Sequence, residues 1–269
     1  MIDIHTHLHP ERLGQAIRKW FAENSTWKLY HACEPSAVAA ALQSHGVERF
    51  VFCSYAHKKG IARDINLWLA QTAKDLGGHG LPLFTVHLDD PDYMEDAKQA
   101  IAAGCIGMKI HEDVQKLAID DPRFSDVYNL IESIDGFVLA HIGPIPWRTV
   151  PEAGAMRVQR VTAKHPKLKL VVAHMGVPDT DLYFDLLDSA SALYLDTTMS
   201  CSNIEGLKNE INLAKIEKHS HRILFGSDYP NIPYEYQLEP SRLQSAGLSP
   251  ETLTLVLGEN ARALLRPFL

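Results

Sequence analysis

Two histidines, His5 and His7, stand one residue apart at the end of the short run Met1-Ile2-Asp3-Ile4. Side chains on an extended strand alternate with a period of two, so both imidazoles leave the same face. One rigid strand can then offer two nitrogen ligands to a metal ion. An HxH tripeptide is weak evidence alone, because the chain holds 14 histidines and two can fall so by chance. His141 and His174 add to it. Each ends an apolar run, Phe137-Val138-Leu139-Ala140 or Val171-Val172-Ala173, and each is followed by an apolar residue and then glycine. The bland account is a pair of satisfied core histidines; matching places on consecutive strands argue for a shared site. Asp228 ends Ile223-Leu224-Phe225-Gly226-Ser227 and precedes Tyr229-Pro230. It is either an ordinary turn cap or, beside three such histidines, a ligand or catalytic carboxylate.

Lys109 and His111 repeat the one-residue spacing in Gly107-Met108-Lys109-Ile110-His111. A lysine pointing into a core is costly unless it is paired or functional. Three roles fit it: neutralising a substrate carboxylate, carrying a carbamate that bridges two metals, or snorkelling as a structural residue. His57 and His87 are weaker candidates for substrate contact. His9, His31, His45, His79, His165, His219 and His221 read as helix, loop or surface residues, and Glu205 to Lys218 as a solvated helix face.

Eight short β-rich runs are spaced widely enough to admit a helix between them: Ile2 to His5, Phe50 to Tyr55, Leu83 to Leu88, Cys105 to His111, Phe137 to Ile142, Leu168 to His174, Leu193 to Thr198, and Ile223 to Ser227. Continuous apolar stretches such as Leu170-Val171-Val172-Ala173 suit strands covered on both faces. Helix starts are marked by Glu34-Pro35-Ser36, Asp90-Pro91-Asp92, Val150-Pro151-Glu152 and Ser249-Pro250-Glu251; stops are marked by Gly46, Gly104 and His165-Pro166. Strands alternating with helices, without a linker, predict a single domain over residues 1–269, an α/β fold of the (β/α)8 TIM-like barrel type. An open doubly wound sheet is the other architecture, but no GxGxxG or GxxxxGK[ST] follows an early strand. In a barrel the candidate residues all fall at the C-terminal rim, where active sites are built.

The length of 269 residues suits one such barrel, and 46% hydrophobic with 22% charged residues can fill its core. A net charge of −7 offers no footprint for nucleic acid or an anionic membrane, which favours a small-molecule substrate. No run of about 18 apolar residues exists, and the opening Met1-Ile2-Asp3-Ile4-His5 shows neither the basic stretch nor the apolar segment expected of a signal peptide. Cys33, Cys53, Cys105 and Cys201 are scattered without a CxxC pair, as expected of reduced thiols in a cytoplasmic protein. Oligomeric state is not encoded legibly, and a homo-oligomer is compatible with the chain.

These residues in this order resemble the amidohydrolase superfamily. The resemblance is carried by His5-Thr6-His7, Gly107-Met108-Lys109-Ile110-His111, His141, His174, Gly226-Ser227-Asp228-Tyr229-Pro230 and the terminal Leu257-Gly258-Glu259-Asn260-Ala261-Arg262. The branch it is most similar to is the amidohydrolase 2 group, with aminocarboxymuconate-semialdehyde decarboxylase-like enzymes and TIM-barrel hydrolases. TatD-like nucleases carry a glutamate motif at strand four, where this chain has Lys109. The resemblance implies one divalent metal, zinc first, on His5, His7, His141 and Asp228, or two metals if Lys109 is carbamylated. It implies Asp228 as general base, His174 as a carbonyl-polarising group off the metal, and Lys109, His111 and Arg148 as contacts to an anionic substrate. The activity it implies is hydrolysis of an amide, ester or lactone. Decarboxylation or hydration of a carboxylic acid by the same site is the alternative, ahead of a nuclease or a non-catalytic metal-binding barrel.

Overall fold

A computed structural model describes residues 1–143, 153–200 and 212–269. Eight parallel strands follow one another around a single sheet: β1 (Ile2–His7), β2 (Arg49–Cys53), β3 (Gly80–Phe84), β4 (Gly107–His111), β5 (Phe137–His141), β6 (Lys169–Val172), β7 (Leu193–Asp196) and β8 (Ile223–Leu224). The sheet closes on itself. Ile4 N–H donates to the Phe225 carbonyl (3.0 Å), Asp228 N–H to the His5 carbonyl (2.8 Å) and His7 N–H to the Tyr229 carbonyl (2.8 Å). The fold is the (β/α)8 TIM barrel that the alternating pattern predicts.

Around the strands lie α1 (Glu11–Asn24), α2 (Pro35–Ser44), α3 (Ala62–Asp75), α4 (Tyr93–Ala102), α5 (Glu112–Gln115), α6 (Ser125–Ser133), α7 (Gly154–Lys164), α8 (Thr180–Leu187), α9 (Leu213–Lys218), α10 (Leu238–Ser245), α11 (Pro250–Thr254) and α12 (Asn260–Leu265). Among the expected helix starts, Ser249 caps α11 with its side chain, whereas Glu34 and Asp92 open α2 and α4 without a side-chain cap bond. Ser249 Oγ accepts from Thr252 N–H (3.2 Å), and Gly46 and Gly104 take left-handed φ of 81° and 111° just past α2 and α4. The start expected at Val150-Pro151-Glu152 lies outside the described residues, but α7 ends before His165-Pro166 as expected. Helix α1, not anticipated from the sequence, carries Leu13, Ile17, Trp20 and Phe21 at helical spacing; it buries only Gly14 fully and leaves Trp20 exposed.

Two apolar layers share the core. Val51, Leu83, Leu139, Val171 and Leu224 fill the barrel interior, closed from below by Ala261, Leu264 and Leu265 of α12. The alternate strand residues, such as Phe50, Met108, Val138, Leu170 and Leu195, face the helices. In β1 the register against β2 shifts between Asp3 and Thr6. Ile2 and Ile4 therefore join the interior layer while His5 and His7 also reach inward above them.

Strand ends differ from the sequence expectation where turns carry the functional groups. β3 starts at Gly80 and stops at Phe84, so His87 lies beyond the strand; β6 stops at Val172, so His174 lies in a following 3-10 turn. Apolar composition ran past both strand ends, because these turns are themselves buried under the rim. No helix among the described residues is long and apolar enough to cross a membrane. Cys33, Cys53 and Cys105 are free thiols, and Cys201 lies outside the described residues.

Candidate metal centre at the barrel mouth

His5 Nε2 and His7 Nε2 converge on one oxygen, Asp228 Oδ1, at 3.1 and 2.8 Å. Strand alternation brings the imidazoles to one face, and barrel closure brings Asp228 to them across 221 residues of sequence. His174 belongs to the same cluster: one ligand atom each from His5, His174 and Asp228 lies within 4.8 Å of the others. His141 joins through His174, with its Nδ1 3.0 Å from His174 Nε2. His111 stacks on His141 with ring centroids 4.0 Å apart. Lys109 Nζ donates to His5 Nε2 at 2.8 Å and is almost wholly buried. Arg148 lies outside the described residues. His57 is exposed, and His87 is buried with an Asp89 N–H donating to its Nδ1.

The rings close a circuit. His5 meets His7 (5.2 Å), His7 meets Tyr55 (6.0 Å), Tyr55 meets His111 (5.3 Å), His111 meets His141, His141 meets His174 (4.6 Å), and His174 returns to His5 (5.5 Å). Aromatic faces and imidazole nitrogens thus ring the mouth.

Several groups here escaped the sequence reading. Asp196, at the end of β7, accepts from His5 Nδ1 (2.9 Å) through Oδ2 and from the His174 and Thr198 backbone N–H groups (2.8 and 3.1 Å) through Oδ1. It fixes the His5 tautomer with the lone pair on Nε2, toward Asp228. The signal for it was present: a polar residue ending the apolar run Leu193-Tyr194-Leu195, the rule that selected His141 and His174. Asp3 lies below, accepting from Ser227 Oγ (2.6 Å), Tyr236 Oη (3.1 Å) and His5 N–H (3.1 Å). His9 lies in the loop after β1, yet is more than a surface residue. Read as a helix, loop or surface residue, it is a buried loop residue that stacks on His7 and bonds Ser54 Oγ at 2.8 Å, because β1 extends past His5 and holds the next residues under the rim. His165, read as a helix, loop or surface residue, follows α7 and is buried against Tyr128.

Burial sets the electrostatics. It pulls His5 down to about 4, helped by Lys109, and His141 and His111 well below the ordinary imidazole value. Burial also opposes charge on His7, but the Cys53 sulfur and Asp228 carboxylate beside it carry it up to about 10. Burial would raise Asp228 and Asp196, yet their histidine neighbours hold Asp228 well below, and Asp196 below, the usual carboxylate range. Asp3, with the same burial and only hydrogen bonds to oppose it, is raised to about 7.

The backbone is forced into shape at the same rim. His174, Met175, Met199 and Asp228 have φ of 57°, 51°, 56° and 66°, left-handed conformations that cost non-glycine residues about 1–3 kcal/mol each. Gly226 permits the approach of β8 to β1, since a Cβ there would sit 2.8 Å from the His5 Cβ and 2.6 Å from Thr198 Oγ1.

A family model described as amidohydrolase matches residues 2–266. This chain belongs to the amidohydrolase family. The full-length match agrees with the motifs on strands one, four, five, six and eight. Among curated proteins no relative matches the sequence. Solved structures share the amidohydrolase fold. An uncharacterised TIM-barrel protein from Bordetella bronchiseptica superposes with a TM-score of 0.74 at 18% identity, over 100% of this chain and 99% of that one. A probable 2-pyrone-4,6-dicarboxylic acid hydrolase from Acinetobacter baumannii, with citric acid bound, gives 0.70 at 14% identity over 98% of each chain. A 5-carboxyvanillate decarboxylase from Novosphingobium aromaticivorans, with bound manganese and a nitrobenzoic acid, gives 0.69 at 13% identity over 98% and 96%. At such identities the likeness concerns fold alone.

The residues of this amidohydrolase fit a divalent ion. Two imidazole nitrogens and a carboxylate oxygen converge, one of the nitrogens with its lone pair fixed toward the centre by Asp196, and nitrogen with oxygen donors suit zinc among other divalent metals.

Proposed function

We propose that this amidohydrolase is a hydrolase of an amide, ester or lactone in a small anionic molecule, with one zinc ion on His5, His7, His141 and Asp228. The observation that carries the reading is the convergence of His5 Nε2 and His7 Nε2 on Asp228 Oδ1 at the barrel mouth. A bound divalent ion supplies Lewis acidity and water of lowered pKa. Asp228, ionised and accepting on Oδ1, takes the proton of the attacking water and passes it to the leaving group. His174 donates from Nδ1 to the Thr198 carbonyl (3.2 Å) and shares a proton with His141 on its other side. With Nδ1 kept on the Thr198 carbonyl, His174 would have to be protonated on Nε2 as well, and turned from His141, to present a proton to a developing oxyanion. Lys109 supplies positive charge for an anionic substrate group from inside the barrel, and His111 lines the same wall. Arg148 is assigned to the same anionic group.

Non-oxidative decarboxylation by the same residues is the second reading. It draws on the shared fold with a 5-carboxyvanillate decarboxylase, and on the ring-lined mouth, which suits a planar acid. Metal analysis of purified protein should give about one equivalent of divalent ion. Incubation with lactone, ester, amide and aromatic-acid panels should then give hydrolysed product without CO₂. Released CO₂ replaces hydrolase with lyase, while a folded protein that takes up no metal when supplied ends both readings. Lys109→Ala should keep metal and raise KM; a carbamate on Lys109 with two metals would change the count.

A further inference from the structure

His7 is held from both sides. Its Nε2 faces Asp228 Oδ1, while its Nδ1 lies 3.5 Å from Cys53 Sγ, within reach of a sulfur acceptor. The pairing is built into the sheet: His7 of β1 and Cys53 of β2 are direct partners in the parallel register, and both point into the barrel. Cys53 is completely buried, and its thiol donates to the Thr6 carbonyl at 3.4 Å, which leaves sulfur lone pairs for His7 Nδ1–H. His5, two residues earlier, has a carboxylate in the equivalent place, with Asp196 Oδ2 2.9 Å from its Nδ1.

We propose that Cys53 is a positioning residue of the metal centre: its sulfur accepts the His7 Nδ1 proton, orients the ring and directs the Nε2 lone pair at the ion. This rests on the metal-dependent reading above. The ion would displace the proton between His7 and Asp228, whereas the Nδ1 proton stays on the sulfur side. Sulfur is a weaker and more distant acceptor than a carboxylate, 3.5 Å against 2.9 Å, so His7 is the less firmly oriented of the two strand-one ligands.

The test is the zinc dissociation constant, measured by chelator competition for wild type, Cys53→Ser, Cys53→Ala and Cys53→Val. Losing an outer partner of a metal-bound histidine costs about 10- to 100-fold in affinity, so Ala and Val should weaken binding by that factor. Ser restores an acceptor and should stay within roughly threefold of wild type. Val fills the space without accepting, which separates packing from hydrogen bonding if Ala alone disturbs the fold. Unchanged affinity in Val makes Cys53 core filler and overturns the proposal. So does an intense sulfur-to-cobalt charge-transfer band in the Co²⁺-loaded wild type that vanishes in Cys53→Ser, since Cys53 would then be a ligand. Failure of the wild type itself to bind zinc overturns the metal reading instead.

Discussion

At the scale of single residues, the division of labour between Asp228 and His174 is open to direct test. An amide at position 228 keeps an oxygen for coordination but accepts no proton at neutral pH. Asp228→Asn should therefore abolish turnover even when metal content is restored, as metal analysis alongside the assay would reveal. His174→Asn removes a transition-state contact and should lower kcat and kcat/KM together by about 10²–10³. Metal should survive, because the proposed ligand set leaves His174 free. His174 also lies within ligand distance of His5 and Asp228, so loss of metal in this variant would exchange it with His141. The buried imidazoles carry a second prediction. His5 is held at about 4 and His9 at about 3, chiefly by burial, and His111 and His141 also lie well below the ordinary 6.5. Below pH 6.5 the unfolded chain takes up protons that these folded imidazoles refuse, so their contribution is intact above 6.5 and lost as pH falls toward 4. Asp3, raised to about 7, and Glu112, raised by burial, work in the opposite sense over that window but are two groups against four. The melting temperature of chelator-treated protein should fall steadily from pH 6.5 to 4; a flat profile would mean these histidines are not buried neutral.

At the scale of elements, the ends of β4 and β5 are tied to α7 by a fully buried ion pair. Arg157 Nε and Nη2 bond the Glu112 oxygens at 2.9 and 2.5 Å, and Nη2 also donates to the Gly143 carbonyl at 3.0 Å. Glu112 Oε1 accepts Ile119 N–H as well, so the pair anchors the turn after α5 and the chain leaving His141. Removing one partner strands a buried charge. Arg157→Ala should cost about 3–5 kcal/mol in denaturant unfolding, and the double variant Arg157→Met with Glu112→Leu should recover most of it. A loss below about 1 kcal/mol, the range of an exposed pair, would show the anchor to be solvent-accessible. The elements themselves were well marked in sequence where caps and glycines punctuate them, as at α2, α4 and α11. Helix α1 is not anticipated from the sequence although Leu13, Ile17, Trp20 and Phe21 recur at helical spacing; it buries only Gly14 fully and leaves Trp20 exposed.

At the scale of the whole molecule, the site exists because the barrel closes. His5 and His7 on the first strand and Asp228 after the last are joined by the same backbone bonds that seal β1 to β8. A metal ion bound there should staple the closure and stabilise only the folded chain. With metal at 100 times its Kd, mass action adds about 2.7 kcal/mol, worth roughly 5–10 °C in Tm for a domain this large. Differential scanning fluorimetry with zinc and with chelator would measure it, and identical melting curves would contradict a metal linking the two strands.

The sequence by itself determined the barrel and the rim residues. Period-two spacing, apolar runs ending in His or Asp, and alternation with capped helices are local signals, and local physics is enough to place His5, His7, Lys109 and His141 on their strands and Asp228 in the turn after the last. Tertiary structure alone decided who faces whom. Asp196 orienting His5, Cys53 behind His7, the His174 link to His141 and the burial of His9 depend on strand register and on distances between residues far apart in the chain. No local pattern encodes them. The left-handed turns at His174 and Asp228 belong to the same class, since only the surrounding closed barrel holds a non-glycine residue in that conformation.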